Sequence, residues 1–144
     1  MNCYILIPNH RLLNKGLPMK FKRISTLFIC SLLFSSFLQA GNVSRSQFTS
    51  QVVDREPVDK LDNMSSDMRQ MYYFTELKNL QGQNVIHQWE YNYKVMYEKS
   101  FTVGGPRWRV WSSKTIHPGW SGSWTVNTLS EDGANLHSES FEHR

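Results

Sequence analysis

"GGPRWRVWSSKT", residues 104–115, sets two arginines, two tryptophans and three hydroxyl residues within one strand's length. Side chains alternate across a strand, so Arg107, Arg109, Trp111 and Ser113 fall on one side and Trp108, Val110, Ser112 and Lys114 on the other. The second set begins as a core face, with Trp108 and Val110 packing inward and Lys114 leaving at the strand end. The first set is polar and looks outward. This reading makes the segment one strand of a layered β domain.

Working outward, the same period of two recurs in "QMYYFTEL" (70–77), "NVIHQWEY" (84–91), "YKVMYEKSFTV" (93–103) and "SWTVNTL" (123–129). These runs are short, rich in β-branched and aromatic residues, and bounded by turn chemistry. The glycines of "NLQGQN" (79–84) and "EDGAN" (131–135) suit hairpin loops, and "REPVD" (55–59) forces an extended break. An early strand over 47–53 and a late one over 135–141 bring the count to about seven, the number expected of an immunoglobulin-like antiparallel β-sandwich. "DKLDNMSSDMRQM" (59–71) holds three aspartates and reads as a loop or a single turn.

The chain has 144 residues and a formal net charge of +4, which by itself suggests an anionic macromolecule as partner. The charge is unevenly placed. Arg11, Lys15, Lys20, Lys22 and Arg23 lie in the first 40 residues with no acid among them; setting those five aside leaves 11 basic against 12 acidic residues, a net of −1. "MKFKR" (19–23) followed by the apolar "ISTLFICSLLFSSFL" (24–38) and Ala40 has the build of a secretory signal peptide, with Met19 the expected start, residues 1–18 an over-extended start, and cleavage expected after Ala40. Leu38 is large for the position three before the cut, so retention as an anchor is the alternative. The apolar run is shorter than the roughly 20 residues a comfortable span requires. The expected mature chain, 41–144, is a single periplasmic domain without a stable membrane span. Both cysteines, Cys3 and Cys30, fall in the leader, so this domain has neither disulfide nor thiolate and must rest on packing, for which all five tryptophans are available.

The succession "SQFTSQVVDREPVD", "YYFTEL", "GQNVIHQWEY", "FTVGGPRWRVWSSKTI", "GSWTV" and "DGANLHSESF" resembles a small exported proteobacterial family, domain of unknown function 2914, over residues 45–141. The resemblance implies a periplasmic β-rich domain of the cell envelope and carries over no catalytic residue.

The candidate site residues come from the pattern itself. Arg107 and Arg109 stand about 7 Å apart on one face, twice the rise per strand residue, and such a pair demands a counter-ion. That is either an internal acid (Glu56, Asp54, Glu76 or Glu90) or an external carboxylate or phosphate matched by the guanidinium forks. Trp111 shares their face. Trp120, in the Pro/Gly/Ser loop "HPGWSGSW" (117–124), either stacks on a ligand or caps the sandwich. His87 and Trp89 share a face of "VIHQWEY", where a histidine is ordinarily a hydrogen-bonded core residue. They are kept as neighbours of the arginine patch.

Enzymatic readings find less support. Ser113 and Lys114 are adjacent and face opposite ways. His87, His117, His137 and His143 lack the paired spacing of a zinc site, no carboxylate pair stands out, and "VGGPR" is a turn rather than a phosphate loop. No catalytic residue, metal or cofactor is expected. Nucleic acid is disfavoured by the net of −1. The expectation is a non-enzymatic periplasmic domain that recognises an anionic or sugar-containing envelope component through its Arg/Trp patch. The alternative is a protein-interaction or structural accessory domain of the envelope with no small ligand.

Overall fold

The computed structural model describes residues 40–144, and the expected leader lies outside the described residues but for Ala40. Ten strands follow in order: β1 (Asn42–Thr49), β2 (Val52–Val53), β3 (Glu56–Pro57), β4 (Asn63–Met64), β5 (Gln70–Lys78), β6 (Asn84–Tyr91), β7 (Lys94–Thr102), β8 (Arg107–Thr115), β9 (Gly122–Ser130) and β10 (Asn135–His143). Seven are long; six of them occupy the segments where alternation predicts them, and β1 overlaps its expected segment only over 47–49. The other three have two residues each, too short to leave a periodic signal.

A three-stranded sheet, β1-β5-β8, faces a five-stranded sheet, β4-β10-β9-β6-β7, and β2 pairs with β3 alone. All long-strand pairings are antiparallel; β4 runs parallel to β10 over two residues. The chain crosses between these two larger sheets after β4, β5, β7 and β8 and makes hairpins at β6–β7 and β9–β10. This is the immunoglobulin-like sandwich expected from the strand count. The segment 59–69 is irregular apart from β4, as its aspartates predict, and residues 70–71 open β5.

The early strand is displaced from its expected 47–53 and ends at Thr49. Asp59 provides the reason. Its carboxylate accepts from Thr49 Oγ1 (2.6 Å), Ser50 N–H (2.8 Å) and Ser50 Oγ (2.5 Å), which draws the chain out of the sheet and into the β2–β3 hairpin.

The core lies between the sheets in two apolar clusters. One contains Phe48, Met64, Met71, Tyr73, Trp89, Ile116, Trp124, Val126 and Phe141; the other contains Leu77, Leu80, Val85, Val103 and Val110. At the changeover four strands place a polar residue inward: Thr75 on β5, His87 on β6, Ser112 on β8 and Thr128 on β9, all buried. Thr75 Oγ1 and Ser112 Oγ each lie 3.0 Å from a ring nitrogen of His87, and Trp89 Nε1–H donates to Ser112 Oγ at 2.9 Å. Each ring nitrogen thus has a hydroxyl partner, the neutral imidazole donating to one and accepting from the other, so both ring nitrogens are filled. Tyr73 OH meets Thr128 Oγ1 at 3.2 Å, joining β5 to β9 where antibody domains place an inter-sheet disulfide.

Burial, reinforced by the nearby Lys99 charge, lowers the His87 pKa from an ordinary 6.5 to about 3. The folded chain therefore keeps this ring neutral, while the unfolded chain protonates it below 6.5. The stability so contributed is complete above pH 6.5 and is lost as pH falls toward 3. His87→Gln, which keeps polar atoms at the site but cannot titrate, is expected to remove about 2 kcal/mol of the stability difference between pH 7 and pH 5, measured by urea denaturation of both proteins.

Candidate binding groove along the edge of β8

Arg107, Arg109, Trp111 and Ser113 do project from the outer face of the three-stranded sheet. Cross-strand register sets Arg45, Glu76 and Arg109 in one row and Gln47, Phe74 and Trp111 in the next. Both arginines are paired with acids of the same chain. Glu76 Oε2 accepts from Arg107 Nη2 at 2.6 Å and Arg109 Nε at 3.2 Å, while Oε1 accepts from Ser44 Oγ at 3.0 Å. Glu56, from the β2–β3 hairpin, takes Arg109 Nη1 at 2.8 Å and also pairs with Arg45. The result is an alternating line, Arg45–Glu56–Arg109–Glu76–Arg107, that ties the hairpin onto the sheet. Beneath it Phe74 is buried although it points outward, with the Arg45 guanidinium 4.8 Å above its ring.

This arrangement corrects the expectation of an unfilled anion site between Arg107 and Arg109. Of the four acids considered as internal partners, Glu76 and Glu56 serve. The hydrogen bond from Arg107, assisted by those from Arg109 and Ser44, holds the Glu76 pKa down at about 2 against the opposing effect of burial.

Three other candidates are also placed away from the arginine patch. His87 and Trp89 are fully buried between the sheets. Trp120 caps one end of the core, its ring 5.9 Å from Trp124 and 6.4 Å from Tyr91, and its carbonyl accepts from Trp124 Nε1. Each follows the ordinary structural alternative for its residue type.

An open groove remains where β8 borders β7. It encloses about 350 Å³ and is lined by Arg55, Lys99, Phe101, Trp108, Arg109, Val110 and Trp111. Both strands are sheet edges. An edge strand offers its flank as well as its faces, so Trp108 and Val110 from the inner row join Arg109 and Trp111 from the outer row. Gly104 allows the Trp108 ring to lie close: a Cβ there would come within 2.9 Å of Cη2. Phe101 and Lys99 arrive from β7, with Lys99 Nζ 5.5 Å from the Phe101 centroid.

Arg55 completes the rim from the β2–β3 turn. Asp54 and Arg55 have φ of 49° and 64°, the left-handed pair of a two-residue hairpin turn. Arg55, Lys99 and Phe101 were not among the candidates from sequence. The alternation of Lys99 with Phe101 in "YEKSFTV" and the turn position of Arg55 were the available signals, but neither told which edge they would border.

The class of protein is thus an immunoglobulin-like domain with a cationic, aromatic groove between two sheet edges. Residues 82–142 match the model of the family described as Protein of unknown function (DUF2914), the family the sequence resembles. The match is narrower than the 45–141 expected; it includes β6 to β8 and thus Lys99, Phe101 and the "RWRVWSS" strand, and stops short of Arg55, Glu56 and Glu76. No curated protein matches the chain.

Glu76→Gln keeps the side chain's shape but removes the charge that Arg107 and Arg109 share. It is expected to cost about 2 kcal/mol at pH 7, since it breaks a largely buried, charge-assisted network whose arginines are partly solvated. Because the folded pKa lies below the ordinary 4.5, this contribution is lost as pH falls from 4.5 through 2, so urea midpoints of the two proteins should converge over that range.

Proposed function

We propose that this chain is a non-enzymatic periplasmic binding domain that recognises an anionic or sugar-containing component of the cell envelope in the β7–β8 groove. The observation that carries the reading is the convergence of Arg55 and Lys99 with the Trp108, Trp111 and Phe101 rings around one concavity. Neither cation belongs to an ion pair among the described residues. Rings offer stacking area and cations offer charge-assisted hydrogen bonds, the two kinds of contact an acidic sugar takes up together. At about 350 Å³ the groove suits a small ligand or the end of a larger one. The periplasmic address rests on the leader-like residues 19–40.

The non-enzymatic reading rests on the geometry of the serine–histidine pairs. Ser112 and His87 are hydrogen-bonded but buried away from any substrate. Ser46 Oγ lies 2.8 Å from His137 Nε2, and Glu139 approaches that same nitrogen at 3.9 Å, so among the described residues the other ring nitrogen lacks the carboxylate that would orient a base.

Docking of another envelope protein is the second reading. It is favoured by Tyr93, fully exposed at the β6–β7 hairpin tip, with Val95 beside it 46% exposed.

The test is binding of the purified chain to an array of acidic and neutral envelope glycans and lipid headgroups, followed by titration with intrinsic tryptophan fluorescence. Trp111→Ala is expected to abolish binding with little change in melting temperature, and wild-type binding should weaken with added salt. Absence of any bound glycan or headgroup, or full binding by Trp111→Ala, would overturn the groove reading. Crosslinking through residue 93 to a periplasmic protein would instead favour the second.

A further inference from the structure

We infer that the groove requires an acid on its ligand, and that Arg55, with Lys99 opposite, is the residue that selects for it. The ligand class is a ring compound bearing a carboxylate or phosphate. This inference rests on the groove reading above and specifies its chemistry.

The first observation is where Arg55 stands. A φ of 64° is sterically unfavourable for any residue with a Cβ, and the second position of such a turn is ordinarily glycine. The local backbone therefore gains nothing from arginine here. Nor does folding gain an ion pair from it: Glu56, next in sequence, has its oxygens on Arg45 and Arg109. A strained position that keeps a long cationic side chain without an ion-pair partner among the described residues points to a use outside the fold.

The second observation is that the strained turn is held firmly. Val52 pairs with Pro57, Val58 N–H donates to Gln51 O at 3.1 Å, and Glu56 anchors the hairpin to two arginines of the sheet. Arg55 is thereby presented at the rim, and Lys99 enters from the opposite sheet.

These two cations decide what can fill the groove. A neutral ring stacked on Trp108 and Trp111 would displace water from Arg55 and Lys99 and supply no charge in return, a desolvation cost that opposes binding. A carboxylate or phosphate on the same ring offsets that cost with charge-assisted bonds. The Arg45–Glu56–Arg109–Glu76–Arg107 line does not supply the missing anion, because its carboxylates are already engaged.

The experiment titrates the purified chain with glucuronate, glucose 6-phosphate and glucose, followed by tryptophan fluorescence and by NMR shifts of the indole N–H groups. At least one of the two anions should bind about tenfold or more tightly than glucose, and the stronger of the two identifies carboxylate or phosphate as the preferred acid. Arg55→Gly should lose that preference by a similar factor while its melting temperature stays level or rises, since glycine tolerates the left-handed turn. Lys99→Gln should weaken the anions in the same direction. Glucose binding as tightly as both anions, unchanged anion affinity in Arg55→Gly, or a lowered melting temperature in that variant would overturn the inference and leave the groove reading standing. Failure of all three probes to bind would overturn both.

Discussion

The sandwich depends on His87, an imidazole with no access to water that joins three strands of two sheets. Its two nitrogens reach Thr75 of β5 and Ser112 of β8, and Ser112 also receives the Trp89 indole N–H. A buried polar group is costly when unpaired, so these atoms accept one mutual placement of the sheets and resist sliding. With no cysteine in residues 41–144, this layer and the Tyr73–Thr128 contact provide the specific cross-links that packing alone would lack. The apolar clusters on either side contribute most of the burial, and the polar layer sets their register.

The sheet placement in turn creates the proposed binding surface. Because β7 and β8 end their respective sheets, a gap opens between them, and its walls carry what the two edges happen to expose. The β2–β3 hairpin then matters twice. Glu56 pairs with Arg45 and Arg109, holding the hairpin against the sheet face where the Arg45 guanidinium covers the buried Phe74, and the turn before it carries Arg55 to the rim. Charge is thus divided by role: the arginines of the sheet hold structure together, whereas Arg55 and Lys99 remain available. A chain segment of net −1 can in this way present a locally cationic groove.

Particular residues show how far the pattern could be read. Trp108, Val110 and Ser112 turn inward as alternation requires, and Arg107, Arg109 and Trp111 turn outward. Six of the seven long strands lie where period-two runs predict them, and β1 begins five residues earlier than expected. His87 was legible as a core histidine from its apolar stripe, although its partners, 12 and 25 residues away, were not. Trp120 could have stacked on a ligand or closed the core, and nothing local distinguishes the two. The arginine pair likewise announced a need for anions without choosing among Glu56, Asp54, Glu76 and Glu90; Glu76 lies 31 residues from Arg107 and meets it only through strand register.

By itself, the sequence determined the elements: which residues extend, which face each side chain takes, where the chain turns, and that the domain must hold without a disulfide. These follow from steric alternation and turn chemistry, which act between near neighbours. Only the tertiary structure decided which strands became edges, which acids met which arginines, and that Arg55, Lys99 and Trp111 would surround one groove. Those outcomes depend on sheet order and register, set by contacts between residues far apart in the chain, and no local period encodes them.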